Sequence, residues 1–566
     1  MSDADDFMTR YLNNITSQYE SSRFKPEYEP AEPETTKVTC RDGVELTVDI
    51  FRPATPGPYP TIVVRCPYPQ QVELWKLHGE HLNRRGYAMV CEWCRGTYTS
   101  GGTWEPNVNE RNDGADLLAW CEHQDWIDVI GLWGTSYLSL TCWTVADITT
   151  PKVASICANH YGTDRFASAY QKGSFRCDVL TAWAMQNAGY PVDADYMKSA
   201  LHLPQMSVDE DMWGGRLDWY RDWISHPKDA DAYWDEGFWG LLKSIPSKVK
   251  VPMFIHEGWF DHHLGSALTG YAALNEQVKE HSWLRIGCWN HYFLNPLEGL
   301  EPKHLDAAEV PAALEWFDLT LKRKQTPMRQ VEYYEIGSDS WHVADSWPLP
   351  SAGADEVRLY LKPGELTAEA PQAASAAEYD YDPANPVMTR GGEALLTTMD
   401  EIGARIQPEP GWRDDVITFE SEPLDHDLHI QGAISVEPVR LIQRSGHRLH
   451  GQAHVRGPGR HRAQLPNFHH HDRAGYAGRR AVQAGRNPPR EHRHVGHLLD
   501  GARRVAHPLR YLVFRFPAIL RTHQPRWTVE RTDRHAGGPP DHSHGRRHAV
   551  RHRAAGTRLR YGFDND

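Results

Sequence analysis

A serine sits among small residues in the segment GLWGTSYLS, residues 131–139, directly after the apolar run IDVIGLW. Chemistry of the G-x-S-x-G kind depends on sterics. The serine is forced into a strained conformation at a strand-to-helix turn, and small neighbours let the strand and helix approach until its hydroxyl stands clear of the sheet. Gly134 meets the demand two places before Ser136; Ser139, one place later than the usual glycine, is small enough to meet the second. The following YLSLTCWTVADI supplies the helix. The chemistry expected is attack on a carbonyl carbon by the Ser136 hydroxyl; the plainer alternative is a serine that caps a helix. Such a nucleophile needs a base, and the base needs an acid to orient it, in the order Ser, Asp/Glu, His, each on a loop after a strand. MFIHEGWFDHH ends in Asp261 and WLRIGCWNHYF in His291. Asp261 is preferred because it lies past the strand end, where a side chain can lean over the sheet. Glu257, His262 and His263 stay open as neighbours, with simple loop polarity as their alternative reading.

The elements that must hold these groups alternate. TKVTCRD and VELTVDIFRPA form a strand pair about Gly43, PYPTIVVRCPY and YAMVCEWCRG read as buried strands, and VELWKLHGEHLNRRG and NERNDGADLLAWCEHQ read as helices. Strands alternating with helices predict a mostly parallel sheet covered on both faces. Residues 1–35, charged and rich in Pro and Glu, read as a leader; 36–148 and 248–350 read as two parts of one α/β unit. Between them, 149–247 is rich in Trp, Tyr and Asp without clear strands, and is expected to be a helical cap. Short alternating runs such as VRLYLKP and DDVITFESEPL place the start of an all-β domain at 351–438.

Composition bounds the remaining classes. The chain has 566 residues, a formal charge of −14, 40% hydrophobic and 11% aromatic residues, enough for sizeable cores and several domains. No run approaches the roughly 18 apolar residues of a membrane span, and the start MSDADDFMTRYLNNITSQYE lacks a basic and apolar leader, so a cytoplasmic location with no membrane partner is expected. Cys91 and Cys94 form a lone C-x-x-C, read as buried thiols in preference to a redox pair, and no metal or cofactor is required.

The order of motifs resembles the cocaine esterase / Xaa-Pro dipeptidyl-peptidase (S15) family of α/β-hydrolases, which also includes the α-amino acid ester hydrolases. The similarity runs from about Thr36 to Val436. VVRCPY, CRGTYTSGG, GTSYLS, GWFD, GCWNH, EWFDLTLK and the later DSWPLP follow in register, as does YDYDPANPV. The resemblance implies an α/β-hydrolase fold with a helical cap insertion and a C-terminal β jelly-roll domain. By position it makes Ser136 the nucleophile, Asp261 the acid and His291 the base, with Tyr68 and the backbone N–H of Tyr137 as the oxyanion hole. Trp183 falls near a cap aromatic that lines the family's pocket; a place in a helix core is its alternative. Three departures stand out: Ser139 replaces the final elbow glycine, an Asp usual before the R-G loop is replaced around Trp93, and Cys288 replaces a proline of the histidine loop.

The region 439–566 departs from any jelly-roll pattern. From Leu441 onward it holds 25 Arg, no Lys, 17 His and 8 acidic residues, a net +17 against −31 for the rest. Arg without Lys, with much His, Gly, Ala and Pro, is what a GC-rich gene encodes out of frame. GHRLHGQAH and LVFRFP, moved on by one base, can both be written as jelly-roll signatures in the same phase, which points to a frameshift near residues 437–446 and an apparently truncated third domain. A nucleic-acid-binding tail or a metal site at HHH, residues 469–471, is disfavoured for want of aromatics, a known fold or ligand partners. The expectation is a serine hydrolase acting on a small-molecule ester, amide or short peptide through an acyl-enzyme, with a homo-oligomer left open. The rivals are an Xaa-Pro dipeptidyl-peptidase or α-amino acid ester hydrolase, which would need an acidic group in the cap or near Glu257 to hold the substrate's amine, and an inactive product damaged in its third domain.

Overall fold

The computed structural model describes residues 3–436 apart from short stretches, the longest being 299–308, 351–356 and 394–401. Beyond 436 it describes only the segments 439–442, 447–449, 452–456, 462–464, 511–520 and 557–562. Ten strands form the central sheet: β1 (Glu34–Thr39), β2 (Glu45–Phe51), β3 (Tyr59–Cys66), β4 (Ala88–Trp93), β5 (Ile127–Thr135), β6 (Val153–Asn159), β7 (Met253–Phe260), β8 (Trp283–Asn290), β9 (Gln330–Glu335) and β10 (Ser340–Ala344). Their order is β1-β2-β4-β3-β5-β6-β7-β8-β9-β10. β3 to β9 run parallel to their neighbours, while β1, β2 and β10 close the two ends antiparallel. The central strands read almost wholly buried, as β3 and β4 do, because helices cover both faces. Chain order reverses about β3 and β5, which sets the ends of β3, β5, β7 and β8 along one edge.

Among the covering helices are α1 (Asp3–Ser21), α2 (Val72–Asn83), α3 (Glu110–Glu122) and α4 (Tyr137–Val145). Two expectations need correction. The supposed leader holds α1, whose Ile15 and Tyr19 are fully buried. Leu12, Ile15 and Tyr19 recur at helical spacing in a segment otherwise too polar to stand out. Tyr19 shares a hydrogen bond with His78 of α2, and Gln18 accepts from the backbone of Val310. Second, 153–159 is not part of the cap: VASICAN forms β6, inserted between β5 and β7. Its Ala, Ser and Cys content gives a weak strand signal, and only the sheet on both sides makes it one.

The cap follows β6 as short helices, beginning with α5 (Arg165–Ala169), capped by Asp164. After it come α6 (Leu264–Ala273) behind β7 and α7 (Glu309–Phe317), against which α1 packs. The β domain contributes Tyr360–Lys362, Glu365–Thr367 and Val416–Ser421 to a seven-stranded sheet. Most of the tail 439–566 lies outside the described residues. The run Tyr511–Leu520, which contains LVFRFP, is a strand paired antiparallel with Val416–Ser421. Cys91 and Cys94 are both buried thiols outside any disulfide. Among the described residues no helix is long and apolar enough to cross a membrane.

Candidate active site

Ser136 directly follows β5 with φ 63° and ψ −127°, a conformation a non-glycine residue rarely holds. The turn is tied down on both sides. Its N–H donates to Asn159 O at the end of β6, and its carbonyl accepts from Ser139 and Leu140 in the first turn of α4. Gly134 is obligatory: a Cβ there would lie 2.2 Å from the carbonyl carbon and oxygen of Leu138. Ser139, by contrast, sits inside an unbroken α4, fully buried, with its hydroxyl unpartnered, so the serine is accommodated where a glycine is usual.

Asp261 and His291 follow β7 and β8 and meet directly. His291 Nδ1 shares a short hydrogen bond with Asp261 Oδ2, while Asp261 Oδ1 accepts the backbone N–H of His263 at 2.6 Å. Burial alone would raise the Asp261 carboxyl; its electrostatic interactions with the surrounding imidazoles, His291 first, and the hydrogen bond to His291 outweigh it and hold it well below the usual carboxylate range. With Nδ1 committed to the carboxylate, His291 keeps Nε2 for another partner. No hydrogen bond joins the Ser136 hydroxyl to His291 in this structure, and such contacts commonly tighten only in the substrate complex. The loop beyond His291 is shaped by Asn290, whose side chain accepts from the backbone of Tyr292 and Leu294. Cys288, where the resembled family has proline, is buried with Phe260, Leu297, Tyr334, Ile402 and Ala404, so it serves as an apolar filler between the sheet and the following domain.

Tyr68 stands just past β3 and is 8% exposed. Its hydroxyl accepts from the indole N–H of Trp183 at 3.0 Å, which leaves its own proton to donate. Burial raises the phenol above its ordinary value, so it stays protonated. The Tyr137 N–H lies in the first turn of α4, where no intrahelical acceptor exists. The Tyr137 side chain is fixed independently: its hydroxyl donates to Glu110 and accepts from the Asn107 N–H, and its ring stacks on Trp183 with centroids 5.9 Å apart. The structure thus brings Tyr68, Tyr137 and Trp183 together, and Asp261 with His291.

Several residues of the site escaped sequence reasoning. His160, directly after β6, stacks on His291 with centroids 5.3 Å apart and lies 3.8 Å from Asp261 Oδ2. Its Nδ1 bonds the His291 carbonyl at 3.0 Å, so that nitrogen carries the proton. Burial lowers its pKa to about 4, so it is neutral near pH 7. Glu309 bonds Thr135, the residue before the elbow, and accepts from Tyr11 of α1. The strand end was the one sign available for His160; Glu309 carried none. The open alternatives resolve physically. Glu257 is fully buried, and burial together with Asp261 pushes its carboxyl well above the usual range, which leaves it neutral. His263 shares a hydrogen bond with Ser168, and burial holds both His262 and His263 neutral. Ligand atoms of His160, Asp261 and His291 lie within 4.8 Å of one another. Because the Asp261 and His160 atoms already engage His291, the set is built to share protons within itself rather than to present free lone pairs to an ion.

Comparison with known proteins bears on this site. Residues 42–293 match the family model described as X-Pro dipeptidyl-peptidase (S15 family), and residues 323–437 match that of the X-Pro dipeptidyl-peptidase C-terminal non-catalytic domain. Cocaine esterase of Rhodococcus sp. (strain MB1 Bresler) is 27% identical over 440 residues, covering 70% of this chain and 75% of the esterase. Among solved structures, an aminopeptidase from a marine sediment archaeon, Thaumarchaeota archaeon, superposes with a TM-score of 0.66 at 17% identity, covering 95% of this chain and 96% of that one. An α-amino acid ester hydrolase does so with a TM-score of 0.65 at 17% identity, covering 94% of each chain. These two likenesses speak to the fold.

Proposed function

Because the chain belongs to the X-Pro dipeptidyl-peptidase (S15) family and is a serine hydrolase, we propose that it cleaves carboxylic esters through an acyl-enzyme formed on Ser136. His291 Nε2 takes the hydroxyl proton as Ser136 Oγ attacks the carbonyl carbon. The oxygen that gains charge is met by the Tyr68 hydroxyl and the Tyr137 N–H, donors already in place before the charge develops. The intermediate collapses, the alcohol leaves with the proton from His291, and water repeats the sequence to release the acid. Asp261 keeps His291 in the tautomer that accepts at Nε2. Residues 36–148 and 248–350, joined by β6, are taken as the hydrolase unit, with the helical cap over it and the β domain after it.

The observation that carries this reading is the Asp261–His291 hydrogen bond, set along the same sheet edge as a serine held at φ 63°. An Xaa-Pro dipeptidyl-peptidase would need an ionised carboxylate free to hold the peptide's amine. Glu257 is neutral by burial, and Glu393, which is close enough to Asp261 to feel its charge, is tied to Arg176. Ester cleavage is therefore favoured over that activity. Side-by-side assays of p-nitrophenyl esters and Xaa-Pro-p-nitroanilides test the choice. Turnover of the esters, with the anilides cleaved far more slowly, is expected; efficient cleavage of the anilides alone would overturn it.

A further inference from the structure

One buried cation near the site has no counter-ion among the described residues. Arg165, the first residue of α5, is 6% exposed. Its guanidinium carbon lies 4.4 Å from the ring centroid of Trp223 and 5.7 Å from that of Trp239. Nη1 donates to the Tyr161 hydroxyl at 3.3 Å, and this is its one hydrogen bond among the described residues. Nε is buried without a partner. The adjacent Asp164 is turned to cap the helix, accepting from Ala167 N. Of the other buried arginines, Arg65 is paired with Glu92 and Arg176 with Asp178 and Glu393, while Arg85 spends its donors on the backbone carbonyls of Tyr19, Phe24 and His81; Arg165 has neither kind of partner set among the described residues. Indole faces offset part of the cost of an unpaired buried charge, but a carboxylate would offset far more.

The position is as informative as the lack of a partner. The Tyr161 ring lies 4.2 Å from the ring of His263, which is 5.9 Å from that of His291. On the other side, Trp223 lies 6.0 Å from Trp183, whose indole N–H holds the Tyr68 hydroxyl. Arg165 is thus connected through two aromatic rings to the base and through two others to the oxyanion side of the site. The groups between, His262 and His263, are neutral, so nothing there answers its charge.

We infer that Arg165 is a specificity residue that receives a carboxylate on the acyl part of the substrate, which makes the monoesters of dicarboxylic acids the preferred class. Nε and Nη2 form one edge of the planar guanidinium, and that edge, free of hydrogen bonds among the described residues, matches a carboxylate's two oxygens. The inference rests on Ser136 acting as the nucleophile. The test compares monoethyl succinate, glutarate and adipate with ethyl butyrate and ethyl alaninate, followed by acid release in a pH-stat, for the full chain and for Arg165→Met and Arg165→Lys. The wild type should favour at least one of the three diacid monoesters over ethyl butyrate by about 10- to 100-fold in kcat/KM, the worth of a hydrogen bond to a charged group. That ratio should collapse toward one in Arg165→Met and fall less in Arg165→Lys. Hydrolysis of butyrate with no diacid preference in the wild type, or a ratio unchanged in Arg165→Met, overturns the inference while the Ser136 reading stands. Failure to hydrolyse any ester, together with no labelling of Ser136 by a fluorophosphonate, overturns both. The wild-type ratio decides the matter even if Arg165→Met does not fold.

Discussion

Replacing Asp261 with asparagine should disable the base by forcing it into the wrong tautomer. Asp261 uses both oxygens: Oδ1 accepts the backbone N–H of His263, and Oδ2 engages Nδ1 of His291. An amide has one acceptor oxygen and one NH2 donor. The His263 N–H can only donate, so it claims the oxygen and turns the NH2 group toward His291. Nδ1 must then accept, which moves the imidazole proton to Nε2, the nitrogen that has to receive the Ser136 proton. The loss expected in kcat for Asp261→Asn is about 10⁴-fold, or about 5.5 kcal/mol of transition-state stabilisation. Folding should survive, because both hydrogen bonds persist and a buried charge is removed. Steady-state hydrolysis of a p-nitrophenyl ester, with thermal unfolding as the control for folding, measures both quantities. A variant that folds and keeps kcat within tenfold of the wild type would refute Asp261 as the orienting acid.

Other outcomes follow from the same geometry. Tyr68→Phe removes one oxyanion donor and should lower kcat by about 10²- to 10³-fold with little change in KM, as read from ester kinetics; an unchanged kcat would remove Tyr68 from the oxyanion hole. Gly134→Ala sets a methyl group against the Leu138 carbonyl and should cost about 1–3 kcal/mol or more, as measured by chemical denaturation. Stability should fall as the pH drops below about 6.5. His78 and His160, lowered from 6.5 to about 3 and about 4 mainly by burial, stay neutral in the folded chain while the unfolded chain takes up protons. Their contribution is complete above 6.5 and lost progressively toward pH 4, a trend that melting temperatures between pH 4 and 8 would reveal.

The sequence made the elbow legible because its constraint is steric and local: Gly134 precedes Ser136 by two residues at the end of an apolar strand. Asp261 and His291 were legible as the ends of two later strands. What stayed hidden depends on tertiary contact. Tyr11 and Tyr19 in a polar helix gave little warning that α1 reaches Glu309 and His78. VASICAN became a strand only through its two neighbours, and that error concealed His160 at its end. Arg165 has no spacing motif at all; its meaning lies in the carboxylate it lacks and in the two indoles around it.

The proposed chemistry requires Ser136 to carry the acyl group. Reaction of the purified full chain with a fluorophosphonate probe, followed by peptide mapping, tests this most directly. The label should appear on the peptide containing Ser136 and vanish in Ser136→Ala, together with ester hydrolysis. Labelling confined to another residue, or hydrolysis that persists in Ser136→Ala, would rule out Ser136 as the nucleophile.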